Sequence, residues 1–128
     1  MIAPSIEWIR ENCKVDSSSE EWLKKLPGQY TLIFRLKNNN CISNEVNCGI
    51  ETLGVRIPNH WISGMVAKAN APFVTTSVNK SGQEYMTCLE DLDDSVKSGI
   101  DFILYEGKKE GKPSKIVDLT GETRVLER

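Results

Sequence analysis

The chain has 128 residues, 39% apolar and 27% charged, with sixteen basic against eighteen acidic side chains and a formal charge of −2. That length suits one domain with one sizeable core, and the composition excludes a disordered or fibrous chain. The near-neutral charge argues against a protein held to nucleic acid by bulk electrostatics, and the sequence offers neither a run of about eighteen apolar residues for a membrane span nor a signal-peptide pattern in Met1–Arg10, so the cytoplasm is the expected compartment.

Ser5 is an N-cap candidate for a first helix, with Ile6, Ile9 and Cys13 at helical spacing. Asp16 to Ser19 reads as a turn or a second cap. Trp22, Leu23 and Leu26 follow at helical spacing, and Pro27-Gly28 stops that helix. Tyr30 to Leu36 is β-branched and aromatic, which predicts a strand. Lys37 to Asn40 is a polar turn, and Cys41 to Glu51 has no clear pattern. Thr52 to Ile57 predicts a strand stopped by Pro58. Trp61 to Asn70 predicts a helix with Ile62, Met65, Val66 and Ala69 on one face.

Phe73-Val74-Thr75-Thr76 reads as a short buried strand, followed by a turn at Lys80-Ser81-Gly82. Thr87 and Glu90 have the spacing of a capping box, which predicts a helix over Leu89–Lys97. Phe102-Ile103-Leu104-Tyr105 and Ile116-Val117-Asp118-Leu119 predict further strands, with a turn at Thr120-Gly121-Glu122 before Arg124-Val125-Leu126. Alternating helices and strands give an α/β fold with a mixed sheet.

The four cysteines, Cys13, Cys41, Cys48 and Cys88, form no C-x-x-C pair, and His60 is the single histidine. Zinc therefore has weak support, and reduced structural thiols fit better. Lys108, Lys109, Lys112 and Lys115 form the one lysine cluster. Glu106 and Glu110 dilute it, so it reads as a solvated loop.

Four segments, in order, resemble the YrdC/Sua5 family of threonylcarbamoyl-AMP synthases. They are Leu26-Pro27-Gly28 with Thr31-Leu32-Ile33, then Gly54-Val55-Arg56-Ile57-Pro58-Asn59-His60, then Ser77-Val78-Asn79-Lys80-Ser81-Gly82, and finally Ser114 with Val117-Asp118-Leu119-Thr120-Gly121. The resemblance runs from about Ile2 to Arg128. It implies an α/β twisted mixed sheet with flanking helices around a concave cavity. It also implies condensation of L-threonine, bicarbonate and ATP, with Mg2+, into threonylcarbamoyl-AMP and pyrophosphate for the t6A modification of tRNA. Some members are also described as binding double-stranded RNA.

By that resemblance, Ser77 and Asn79 contact nucleotide phosphates, with Thr75 and Thr76 on the wall beside them. Arg56 takes the threonine carboxylate, for which a guanidinium fork is suited. Ser114 sits near the substrate threonine. Each residue also has a plainer reading: Ser77 and Asn79 as turn formers, Arg56 in a strand-end salt bridge, Ser114 as a turn serine. His60 reads as a helix-start residue. Glu127 stands where the family carries a phosphate-holding arginine, and Arg124 or Arg128 would substitute. Lys115 departs from the usual threonine.

The family's opening strands and its K-x-R motif have no counterpart, which predicts a partial domain over residues 1–128. That predicts weak turnover by this chain alone, and an exposed sheet edge open to a chain carrying the absent half or to a second copy. The alternative is a non-catalytic module that binds nucleotide or double-stranded RNA.

Overall fold

The computed structural model describes residues 1–80, 82–111 and 113–126. It divides into two compact units: Met1–Val74 with Pro113–Arg128, and Thr75–Lys112. No helix among the described residues is long and apolar enough to cross a membrane.

In the first unit, α1 (Ile6–Asn12) starts at Ser5, whose hydroxyl accepts from the Trp8 backbone N–H at 3.0 Å. Helix α2 (Ser17–Leu23) starts at Asp16, whose carboxylate accepts from the Ser19 N–H at 2.8 Å. Both caps satisfy N–H groups that the first helical turn leaves unpaired. Arg10 forks onto Glu20, Nε to Oε1 at 3.0 Å and Nη2 to Oε2 at 2.9 Å, and this joins the two helices. Their apolar faces place Ile9 and Leu23 in the core, both fully buried.

The sheet follows from period-two burial. In β1 (Tyr30–Arg35) Leu32 and Phe34 are fully buried. In β2 (Thr52–Val55) Leu53 and Val55 turn inward. Strand order is β2-β1-β3-β4, with β3 at Lys115–Asp118 and β4 at Arg124–Leu126. β1 runs antiparallel to β2 and parallel to β3, and β3 runs antiparallel to β4. Leu32 stands opposite both Val55 and Val117, so one inward row crosses three strands. Ile2 extends the β2 side, bridging Arg56 and Phe73. The terminal ammonium of Met1 donates to the Gly54 carbonyl at 2.9 Å, and burial, then Arg56, lowers its pKa.

After α2 ends at Leu23, the chain passes close to itself at Gly28. A Cβ there would lie 2.5 Å from the Lys25 carbonyl oxygen, while its N–H donates to the Ile57 carbonyl at 2.9 Å. The unpatterned stretch after β1 contains a short α3 (Asn44–Asn47). Helix α4 (Trp61–Ala69) is capped by His60, whose Nδ1 accepts from the Ile62 N–H at 3.4 Å. The expected apolar face is only partly covered: Val66 is buried, whereas Met65 is exposed.

Three expectations are corrected. Phe73–Thr76 is not a buried strand: Phe73 makes one bridge, to Ile2, and Phe73 and Val74 are exposed. Phe102–Tyr105 forms no ladder and is exposed throughout. An apolar, β-branched run becomes a strand only where another strand accepts its backbone bonds, and the described residues provide none here. The Leu89–Lys97 helix is broken into a 3-10 turn at Leu89–Asp91 and a short α5 at Asp94–Lys97. The box partner is Asp91 rather than Glu90. Its Oδ2 accepts from the Thr87 N–H at 2.8 Å, the Thr87 hydroxyl at 3.0 Å and the Cys88 N–H at 3.2 Å. Asp93, extended, then begins α5 afresh.

Candidate functional site

The predicted residues fall in both units. In the first, Arg56 follows β2. Its N–H donates to the Met1 carbonyl and its carbonyl accepts from the Ala3 N–H, each at 3.0 Å, so the residue's backbone is clamped from the chain start. Ser114 precedes β3, and its hydroxyl lies 2.7 Å from that of Thr31 on β1. Parallel pairing brings the two hydroxyls together, because Tyr30 stands opposite Lys115 and the neighbouring residues follow in register. Sequence reasoning used Thr31 only as a motif letter. Its pairing with Ser114 across 83 positions had no local signal.

Arg124 opens β4 opposite Asp118 and is exposed. Asp118 accepts from the Thr120 N–H at 2.9 Å and the Thr120 hydroxyl at 2.7 Å. These two bonds lower its carboxyl pKa, with Arg124 and Arg35 adding smaller electrostatic help. Arg35 Nε donates to the Thr120 carbonyl at 3.0 Å, so the Val117–Gly121 segment is tied to the end of β1. Glu127 and Arg128 lie outside the described residues. A separate polar depression of about 240 Å³, lined in part by Lys14, Arg35, Lys37 and Glu51, includes none of the predicted residues.

In the second unit, Thr75, Thr76, Ser77 and Asn79 form an irregular loop. The Thr76 hydroxyl accepts from the Val78 N–H at 2.9 Å. The Ser77 hydroxyl donates to Asn79 Oδ1. Asn79 Nδ2 donates to the Gln83 carbonyl at 2.8 Å and the Lys80 carbonyl at 3.1 Å. Val78 is left-handed, with φ of 56°. A β-branched residue there costs about 1–3 kcal/mol, a strain that occurs where surrounding bonds impose it and that clusters at functional sites. The loop is thus a preshaped set of short polar side chains on exposed backbone. The Ser77 hydroxyl hydrogen and both Asn79 amide hydrogens are given to acceptors inside the loop, so meeting an anionic oxygen here exchanges these bonds for contacts to the ligand. Ser81 of the same motif lies outside the described residues.

Together these features define an α/β domain on a mixed four-stranded sheet, with a shaped polar loop and a strand-end arginine. A family model covering Sua5, YciO and YrdC, described as "Telomere recombination", matches residues 1–128. The chain is 30% identical to Escherichia coli K12 YciO over 105 residues, which is 80% of this chain and 50% of that protein. It is 35% identical over 97 residues to a Methanocaldococcus jannaschii protein with the provisional name threonylcarbamoyl-AMP synthase, covering 75% of this chain and 44% of that one. Among solved structures, P. abyssi Sua5 complexed with L-threonine matches with a TM-score of 0.79 at 25% identity, over 98% of this chain and 38% of that chain. E. coli YciO matches in fold with a TM-score of 0.78 at 23% identity, over 97% of this chain and 62% of that chain. The chain belongs to the Sua5/YciO/YrdC family. It spans about half the length of the curated relatives it matches.

Proposed function

We propose that this chain forms part of a threonylcarbamoyl-AMP synthase, condensing L-threonine, bicarbonate and ATP into threonylcarbamoyl-AMP and pyrophosphate. The observation that carries the reading is the strained, internally bonded Thr76–Asn79 loop, in a chain of this family whose matched relatives include one named for that activity. The threonine amine first bonds to the bicarbonate carbon as water leaves, which gives a carbamate; a carbamate oxygen then attacks the α-phosphorus while the bond to the leaving pyrophosphate breaks. No side-chain nucleophile is required, so placement of the reactants and neutralisation of charge are the protein's task.

In this reading Ser77, Asn79, Thr75 and Thr76 meet the nucleotide. Arg56 grips the threonine carboxylate, and the Ser114–Thr31 hydroxyl pair flanks the amino acid. Arg56 has the planar donor fork that a carboxylate needs. Sua5 complexed with L-threonine supports an amino-acid substrate for the family fold. In this reading magnesium is carried in on the triphosphate and offsets part of its charge.

Full activity in this reading also needs a segment carrying the family's K-x-R cations. The exposed β4 residues Val125 and Leu126 are a surface such a segment would cover. A second copy pairing at the β4 edge is the competing occupant.

The test incubates the chain with ATP, Mg2+, threonine and bicarbonate, with and without a segment bearing K-x-R. Product that depends on the segment, and that falls at least tenfold in Ser77→Ala, Asn79→Ala or Arg56→Ala, is the expected result. Absence of product and of nucleotide binding under both conditions overturns the reading. Salt-dependent binding of double-stranded RNA in that case would instead favour a binding module.

A further inference from the structure

The second unit has little core to shape its loop. Among its described residues Leu92 alone is buried, while Tyr85, Phe102, Leu104 and Tyr105 are exposed. A unit of this size cannot hold a strained loop by apolar burial alone. Its described polar ties therefore carry more of the task.

One tie reaches directly into the Ser77–Asn79 loop. Lys80 Nζ lies 2.8 Å from Asp93 Oδ2. Asp93 Oδ1 is committed separately, accepting from the Ser95 N–H at 2.9 Å and the Ser95 hydroxyl at 2.5 Å, the contacts that begin α5. The backbone of Lys80 is committed too: its carbonyl accepts from Asn79 Nδ2 at 3.1 Å and from the Gln83 N–H at 3.0 Å. So one residue holds the Asn79 amide by its carbonyl and the start of α5 by its ammonium. We propose that Asp93 is a positioning residue for the Ser77–Asn79 loop, acting through its ion pair with Lys80.

The inference rests on the reading of that loop as the nucleotide contact. Lys80 takes the part of a loop anchor in it, since its ammonium pairs with the Asp93 carboxylate. The Lys80 contact, ahead of the Ser95 bonds, holds the Asp93 carboxyl well below its ordinary range, so Asp93 stays ionised through neutral pH. The pair is partly exposed, with half of the Lys80 side chain accessible. Its effect is correspondingly modest: exposed pairs are worth about 0.2–1 kcal/mol, or about 1.5- to fivefold in an equilibrium.

Asp93→Asn separates the two roles of Asp93, because asparagine still caps a helix but carries no charge. The variants are Asp93→Asn, Lys80→Met, their double mutant and Lys80→Arg. Two readouts are taken on the full chain: affinity for a non-hydrolysable ATP analogue, and amide exchange at Val78, Asn79 and Gln83. Each single charge removal is expected to weaken the analogue about 1.5- to fivefold and to speed exchange by a similar factor. The double mutant should be no worse than either single one, and Lys80→Arg should stay near wild type. Tighter binding in Asp93→Asn, or a loss in Lys80→Met far beyond that in Asp93→Asn, overturns the proposal by making Lys80 a direct phosphate ligand. Unchanged exchange in both single mutants also overturns it. Faster exchange without analogue binding by any variant, wild type included, keeps the latch and discards the nucleotide reading.

Discussion

Replacing Gly28 with alanine tests how tightly the chain turns between α2 and β1. The added Cβ would stand 2.5 Å from the Lys25 carbonyl oxygen and 3.4 Å from Tyr30 Cδ2. The first contact is too short for any real structure, and the atom it meets is backbone. Moving it disturbs a turn in which the Lys25 N–H donates to the Trp22 carbonyl at 3.1 Å and the Leu26 N–H to the Leu23 carbonyl at 3.0 Å. Moving Gly28 instead stretches its 2.9 Å bond to Ile57. Overpacking of this kind costs about 1–3 kcal/mol. Alanine recovers about 0.4–1 kcal/mol by restricting the unfolded chain. The net expectation is a loss of about 0.5–2 kcal/mol, read as a lower urea midpoint with an unchanged slope. Gly64 is the control. It lies within α4, and its added Cβ meets nothing within 4 Å. Gly64→Ala should therefore stabilise by up to about 1 kcal/mol. A Gly28→Ala protein as stable as wild type, beside a Gly64→Ala protein that behaves as expected, would refute the steric argument.

Phe34 on β1 is fully buried, so Phe34→Ala should cost about 3–5 kcal/mol in urea unfolding, whereas Val125→Ala on exposed β4 should stay within about 0.5 kcal/mol. Burial pushes the Cys13 thiol up to about 12. At pH 8 iodoacetamide should therefore label exposed Cys48 in the folded protein and reach Cys13 only on unfolding; mass spectrometry of labelled peptides checks this, and early Cys13 labelling would contradict the packing. Because the folded Cys13 pKa lies above its ordinary value, its contribution is present below about pH 9 and fades as pH rises toward 12. Asp16 and Asp91 behave oppositely. Their accepted hydrogen bonds, from Ser19 first and from Thr87 first respectively, hold both at about 2, below the usual 3.8. Their contribution is present above about pH 4 and lost as pH falls through 2, which carboxyl NMR titration should show as midpoints near 2.

Local signals were legible at the first two helix starts, where a side chain acts on nearby backbone. Ser5 and Asp16 cap α1 and α2 as their positions suggested, because a cap needs only a neighbour three residues away. The alternation of Leu32 and Phe34 marked β1, since its buried face repeats every second residue. The turn expected at Thr120-Gly121-Glu122 follows β3 as a bend, with Asp118 closing on Thr120 two residues away.

Pairing and competition were decided only by the tertiary structure. Phe102–Tyr105 has the composition of a strand yet lies exposed, because a strand is a property of two segments and not of one. Leu89–Lys97 has helical spacing, but Asp91 turns back to Thr87 and Cys88 while Asp93 starts α5. Those carboxylates offered the backbone alternatives that helical spacing does not register. Thr31 meets Ser114 because β1 and β3 run parallel in one register, and Lys80 meets Asp93 because the loop folds toward α5. Short-range hydrogen bonding is written residue by residue along the chain. Contacts between distant residues depend on the free energy of the whole fold, and that is why the sequence named the candidate residues and the structure chose their partners.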